Sequence, residues 1–288
     1  MFRESRPAAR LAQHVVCFWV QRVPAGFGSF IQRTVPNGSA ELVCTVGAAP
    51  RFVGPSTGPM ETVVAPGTTV VGVRLRPGAG PAVFGQPVAQ FVDETVAADI
   101  LHGWLSAALG EALAAARSDQ EMVDHLQAYV CGQLDRTSPK DLLDPLVLEV
   151  VRRLGGGNAE SMRSLAASLY VSERQLRRRV TAATGLGPKT LHRHLRFQRF
   201  LAHAAESLHP AGQLAALAAQ AGYADQAHLT RESVRLERRP PHAVLLESEH
   251  HCRGAHDHSA SYQPLLSRTS LFVKGPSLFP HRTGVGVP

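Results

Sequence analysis

Leu165-Ala166-Ala167-Ser168-Leu169-Tyr170-Val171-Ser172-Glu173-Arg174-Gln175-Leu176-Arg177-Arg178-Arg179-Val180 returns in outline fifty residues later. The second copy is Leu217-Ala218-Ala219-Gln220-Ala221-Gly222-Tyr223-Ala224-Asp225-Gln226-Ala227-His228-Leu229-Thr230-Arg231-Glu232-Ser233. Val171 matches Tyr223, Ser172-Glu173 matches Ala224-Asp225, Leu176 matches Leu229 and Arg178 matches Arg231, with one extra residue before the second leucine. Each copy reads as a short helix, a tight turn, and a polar second helix whose apolar residues can face only inward, so each is a helix-turn-helix unit. Outward from the repeat, Gly185 ends the first unit and Pro188 opens a helix to about Ser207, which Pro210-Ala211-Gly212 breaks. At 1.5 Å per residue, roughly twenty residues span about 30 Å. Two recognition helices held near that separation can enter successive major grooves of B-DNA, roughly 34 Å apart. Upstream, Pro145 starts a helix that Gly155-Gly156-Gly157 stops, and Ser161 caps the first helix of the repeat.

Charge follows the repeat. The chain of 288 residues carries a net +7, yet residues 1–140 sum to zero and residues 152–200 alone carry +9. A positive field concentrated in one module is what nucleic-acid binding requires, whereas a surface that is merely solubilised mixes its signs.

The N-terminal half has another texture. Val15-Val16-Cys17-Phe18-Trp19-Val20, Glu41-Leu42-Val43-Cys44-Thr45-Val46 and Thr69-Val70-Val71-Gly72-Val73-Arg74-Leu75 are β-branched and aromatic runs between turn formers such as Pro36-Asn37-Gly38 and Arg76-Pro77-Gly78. From about Ala97, Ile100, Leu101, Trp104, Leu105, Ala108 and Leu109 recur at helical spacing, followed by Met122, Leu126, Tyr129 and Val130. The expected architecture is α+β and multidomain: a β-rich sandwich or barrel-like N-terminal domain closed by helices over 1–138, an all-α double helix-turn-helix domain over 144–243, and a disordered tail over 247–288. Asp135 to Lys140 reads as the linker. With no long apolar run and no signal-like start, a cytoplasmic protein without membrane contact is expected.

The residues resemble the AraC/XylS transcriptional regulators. The resemblance rests on Ser172 to Arg179, on Thr184-Gly185-Leu186-Gly187-Pro188, on Arg196-Phe197-Gln198-Arg199 and on Ala221 to Arg231, and it covers about 144–243. Residues 10–80 resemble the poorly characterised N-terminal domain of a subset of these regulators, through Phe18-Trp19, Pro36-Asn37-Gly38 leading to Glu41-Leu42, and Gly72 to Gly78. The resemblance implies a sequence-specific regulator that is not an enzyme and has no cofactor. Its implied partners are double-stranded DNA, a small-molecule effector, RNA polymerase and a second copy of the chain.

Away from the Leu176/Val180 face, the first recognition helix offers Arg174, Gln175, Arg177 and Arg178; in the second unit the outward set is Gln226, His228, Thr230 and Arg231. Arg pairs with guanine O6 and N7, and Gln with adenine N6 and N7. Arg179 suits phosphate or packing, and Arg193, Arg196 and Arg199 drift around their helix, so packing is at least as good a reading for them. Family members usually carry a large apolar residue where Ser233 stands and a Gly where Arg238 stands, which predicts a looser second unit.

The rival class is a DNA alkyltransferase on the same architecture, which needs an activated thiolate; Cys17, Cys44, Cys131 and Cys252 stand singly, without the neighbours such a thiolate requires. A third reading makes the N-terminal domain purely a dimerisation module. Glu41, Arg74 and Arg76 line a ligand pocket or pair as salt bridges. His250, His251, Cys252, His256 and His258 form the one metal-like cluster, read as adventitious in a disordered tail, so no physiological metal is expected.

Overall fold

A computed structural model describes residues 1–26, 28, 30–138, 143–156, 160–207, 210–252, 256–258 and 260–262, with backbone alone at 247–252 and 256–257. Among the described residues, nine strands build the β-rich part, the last of them from the C-terminal segment: β1 (Phe2–Ser5), β2 (Val15–Arg22), β3 (Phe30–Thr34), β4 (Glu41–Thr45), β5 (Arg51–Val53), β6 (Met60–Val64), β7 (Thr69–Leu75), β8 (Thr95–Ala97) and β9 (His256–Asp257). Seven form one sheet in the order β8-β5-β4-β7-β2-β1-β9, and β3 pairs with β6 as a separate ribbon. The sandwich expected from the sequence is thus lopsided.

Period-two alternation decides which side chain meets which layer. Phe18 pairs with Val73 and Val73 with Leu42, placing all three on the face that packs against helices. Cys17 and Trp19 point to the other face, toward Phe30 and Val64 of the ribbon. Gly72 lies beside Trp19 for a reason of space: a Cβ there would sit 2.5 Å from Cζ2 of the indole.

The covering helices are α1 (Gly80–Phe84), α2 (Asp99–His102), α3 (Trp104–Ala115) and α4 (Asp119–Arg136). Gly103, at φ 51°, splits α2 from α3. This turns the helical face read from the sequence: α3 buries Leu109 and Leu113, while Ile100 and Trp104 are 74% and 75% exposed. On α4, Met122, Val123, Leu126 and Val130 close the core, and the Ser118 hydroxyl accepts from Glu121 N as the helix cap.

The helical half comprises α5 (Pro145–Gly155), α6 (Met162–Ser168), α7 (Glu173–Thr184), α8 (Pro188–Ala205), α9 (Leu214–Gln220), α10 (Gln226–Glu237) and α11 (Pro241–Cys252). Two cores form, and α8 belongs to both. Its Leu191 and Leu195 pack with Val150, Leu165, Leu176 and Val180, whereas its Phe197, Phe200 and Leu201 pack with Leu217, Leu229 and Leu236. At 18 residues, α8 is a beam of about 27 Å that sets one unit relative to the other.

Part of the stretch read as a disordered tail has a place in the fold. Helix α11 runs to Cys252, β9 adds a parallel edge strand beside β1, and Ser261 donates its N–H to Glu4 Oε2 at 2.8 Å. Of the stretch read as the linker, Asp135 and Arg136 still belong to α4, because the helix continues to the extended Thr137, and 139–140 lie outside the described residues, as do 141–142, Gly157 and the chain from 263 onward.

Candidate nucleic-acid interface

Both units turn the chain by the same hydrogen bond. Val171 N donates to Ala166 O at 3.1 Å, and Tyr223 N donates to Ala218 O at 2.9 Å. Each turn passes through a left-handed residue, Tyr170 at φ 56° and Gly222 at φ 83°. The extra residue of the second copy falls immediately after. Asp225, which sequence matching pairs with Glu173, therefore takes the role of Ser172: Gln175 N donates to Ser172 Oγ, and His228 N to Asp225 Oδ1 at 2.6 Å.

The arginines of the basic stretch divide into two groups. Arg152 and Arg153 pair with Glu149, Arg163 with Glu173, Arg179 with Asp144, and Arg193 with Glu232 at 2.8 Å. Arg196 stacks over the Tyr223 ring, 4.6 Å from its centroid. Arg199 is buried, and burial holds its pKa below the usual guanidinium value. Arg174, Arg177 and Arg178 differ from all of these: exposed on one end of α7, they have no carboxylate partner among the described residues. The packing reading thus has a named partner for Arg193 and Arg196 and burial for Arg199, and Arg179 is an intradomain tie to the cap of α5.

The remaining sequence candidates are less free. Gln175 Oε1 accepts from Ser172 N at 3.0 Å, closing a capping box, so bidentate contact with adenine requires that box to open. The Thr230 hydroxyl donates to Gln226 O at 2.9 Å within its own helix. His228 lies edge-on to Tyr223, with Ala224 N donating to its Nδ1 at 3.4 Å. Gln226 and Arg231 are exposed. Arg235, one turn beyond Arg231 and also exposed, was missed in the sequence, although i to i+4 spacing marks it.

Ser233 is fully buried where the first unit has Val180, and its hydroxyl is satisfied, donating to Arg239 O at 2.7 Å. Glu237 stands where the first unit has Thr184. Its carboxylate and carbonyl both meet Arg33 of the β-rich half: Arg33 Nε donates to Oε2 at 3.2 Å and Nη2 to the carbonyl O at 2.6 Å. No local pattern marks this contact, since 204 residues separate the partners.

In the β-rich half, Arg74 Nε donates to Glu41 Oε1 at 2.7 Å and Nη1 reaches Glu4 Oε1 at 3.4 Å. Arg74 is held well above the usual guanidinium range, burial opposing and the Glu41 charge favouring its protonated form. Arg76 points elsewhere and donates to Ala12 O. Burial pushes the Cys17 thiol up to about 12 and the Cys44 thiol to about 11, the opposite of the activation that alkyl transfer requires. No metal-holding group of three or more His, Cys, Asp or Glu exists among the described residues; the side chains of His250, His251, Cys252 and His256 lie outside them. No helix among the described residues is long and apolar enough to cross a membrane.

Residues 165–246 match the family described as a helix-turn-helix domain, and residues 3–97 match a domain of unknown function, DUF6597. No curated protein matches the chain. Among solved structures, ToxT from Vibrio cholerae O395 is 10% identical, with a TM-score of 0.45 over 79% of this chain and 95% of that one. ToxT of strain SCE256 bound to an unsaturated fatty acid is 11% identical, with a TM-score of 0.41 over 85% and 93%.

Proposed function

We propose that this chain, which joins an N-terminal DUF6597 domain to a C-terminal helix-turn-helix domain of the AraC type, is a sequence-specific transcription regulator in the cytoplasm. Its DNA-binding domain spans 144–243, and α7 and α10 enter successive major grooves on one face of the duplex. The observation that carries the reading is the division of the arginines. Every other arginine of residues 152–200 is paired, stacked or buried, and the three that are exposed and without a carboxylate among the described residues all stand in the first half of the first recognition helix. An exposed guanidinium with no internal partner keeps its full capacity for guanine or phosphate. Arg174, Arg177 and Arg178 are the principal readers; Gln226, Arg231 and Arg235 complete the second unit, with Gln175, His228 and Thr230 in supporting positions. The domain over 1–138 controls DNA affinity through a small-molecule effector, through pairing of two chains, or both, and RNA polymerase is the downstream partner.

The test is binding of the purified chain to fragments of its own genomic neighbourhood against competitor DNA across a salt series. Selective binding with a steep negative salt slope supports the reading, because each neutralised phosphate releases counterions. Binding with no preference among fragments at any salt overturns it.

A further inference from the structure

We infer that the cavity between the β-rich domain and the second helix-turn-helix unit binds an uncharged, partly aromatic small molecule, and that its occupant acts on DNA through the Arg33–Glu237 clamp at the end of α10. The inference rests on the proposed regulator reading and names the effector class. The cavity, about 190 Å³, has Phe2, Trp19 and Phe30 on the sheet side, Leu201 and Val244 on the helical side, and Tyr262 of the C-terminal segment as a further wall.

Its charges are already spent. Arg33 is held by Glu61 and Glu237, Arg74 by Glu41 and Glu4, and the imidazole of His258, also in the lining, faces the same Glu4 with Nδ1 3.7 Å from Oε1. Both oxygens of Glu41 are engaged in turn, with Trp19 Nε1 donating to Oε2 at 3.2 Å and Arg74 to Oε1. An anion entering here meets two guanidinium groups committed to four carboxylates. A cation meets carboxylates committed to guanidinium groups. Either would be desolvated without a partner, which is costly.

Neutral hydrogen-bonding capacity, by contrast, is left over. Gln21 Nε2 donates to Gln32 Oε1 at 2.7 Å, Gln198 Nε2 donates to Pro36 O at 3.1 Å, and Asn37 Oδ1 accepts from Ser39 N at 2.8 Å. Each bond engages one end of its amide. Gln21, Gln198 and Asn37 all line the cavity, and the side-chain carbonyls of the two glutamines and the amino group of Asn37 have no intramolecular partner among the described residues. Two acceptors and a donor beside aromatic and aliphatic walls suit a molecule with an amide or similar neutral group on a flat apolar body.

The position also fixes what the occupant can move. From the helical half the walls are Gln198 and Leu201 on α8, Glu237 at the end of α10, and Val244; no residue of α6 or α7 takes part. An occupant that prefers one arrangement of Arg33 and Glu237 therefore biases the second recognition helix and leaves the first alone.

Benzamide, benzoate and benzamidine share a ring and differ in charge, so they serve as probes of the full-length chain. Trp19 and Trp104 are the two tryptophans, and Trp104 is 75% exposed, so a Trp104→Phe background leaves Trp19 as the reporter at the cavity wall. Benzamide is expected to change Trp19 emission saturably and to bind at least about tenfold more tightly than either charged analogue, a difference of about 1.4 kcal/mol. Gln198→Leu should weaken benzamide several-fold at unchanged melting temperature; Gln21→Leu serves the same purpose if the first variant does not fold. Footprinting should show protection of the second half-site changing with benzamide while the first stays constant. Equal or tighter binding of benzoate or benzamidine, or no saturable response to any of the three, overturns the cavity assignment. An equal change at both half-sites overturns the clamp route. Selective DNA binding without a benzamide response removes the effector site alone, whereas a benzamide response without selective DNA binding removes the regulator reading alone.

Discussion

The two helix-turn-helix units follow the same path and are finished by different chemistry. In the first, Thr184 ends α7 locally: its hydroxyl donates to Val180 O at 2.8 Å and accepts from Leu186 N at 3.2 Å. The second has Glu237 at that place, which is 1% exposed and neutralised by Arg33 from the other domain. The first unit also packs Val180 in its core, where the second has Ser233 bonded to Arg239 O. The first unit finishes its recognition helix with its own residues, and the second borrows that last interaction. An interaction borrowed from a neighbouring domain is one through which that neighbour can act.

The strongest way to break this comparison is Arg33→Ala. It strands the buried Glu237 carboxylate, and removing one member of a buried pair costs about 3–5 kcal/mol. A surface ion pair of the first unit gives the contrast: Arg163→Ala removes a pair whose side chains are 89% and 51% exposed and should cost under about 1 kcal/mol. Urea unfolding of both variants checks the contrast, and similar midpoints would mean the second unit does not depend on the clamp.

The first unit meets the β-rich domain through a different kind of surface, and acid should tell the two apart. His194 on α8 is fully buried, neither ring nitrogen has a hydrogen-bond partner among the described residues, and burial, helped by Arg193 against the opposing charge of Asp93, lowers its pKa to about 4. The native state therefore binds fewer protons than the unfolded chain between about 6.5 and about 4. Stability should fall as pH drops through that window, by about 3 kcal/mol from this residue. His14 and His192 are lowered in the same direction and add to the slope. His194→Leu should flatten it in urea titrations between pH 7 and pH 4.5, and an unchanged slope would assign the acid sensitivity elsewhere.

What could be read from the chain alone follows how local each cause is. The repeat, the caps at Ser161 and Ser172, the stop at Gly185 and the strands at Val15, Glu41 and Thr69 depend on neighbours within a few residues, and each lies where the spacing puts it. Ile100 and Trp104 recur at helical spacing with Leu101 and Leu109 yet are exposed, because Gly103 rotates one short helix against the next, and periodicity assumes a straight axis. Glu237, Arg33 and Gln198 were invisible as a cluster, since no pattern connects partners 162 and 204 residues apart. The division of the arginines was half legible: the count marked the module, but only the positions of the carboxylates separate tied arginines from free ones.

On DNA the asymmetry should appear as unequal costs. Arg178→Ala, which removes an exposed and unpaired guanidinium, is expected to lose about 1–3 kcal/mol of binding and to relax preference at one base. Arg231→Ala, in a less basic helix, should fall at the low end of that range. Competition assays on single-base variants of the site measure both, and a larger loss for Arg231 would reverse the assignment of the first unit as the main source of affinity.

The smallest effect tests where each unit keeps its glycine. The first has Tyr170 in the turn at φ 56° and Gly185 after α7 at φ 74°; the second has Gly222 in the turn and Arg238 after α10 at φ 57°. A left-handed conformation costs an L-residue roughly 1–2 kcal/mol, and glycine avoids that cost while giving back part of it in unfolded-chain entropy. Gly185 is held for a second reason, because a Cβ there would lie 2.7 Å from Val92 Cγ2 and 3.2 Å from Pro55 Cγ. Arg238 is exposed, so the second unit tolerates a side chain where the first unit has no room for one. Arg238→Gly should therefore stabilise the chain by about 1 kcal/mol or less, read as a small rise in melting temperature. Were the variant less stable than its parent, the Arg238 side chain would be contributing more than its strain costs, and the expectation of a looser second unit would lose its support at this position.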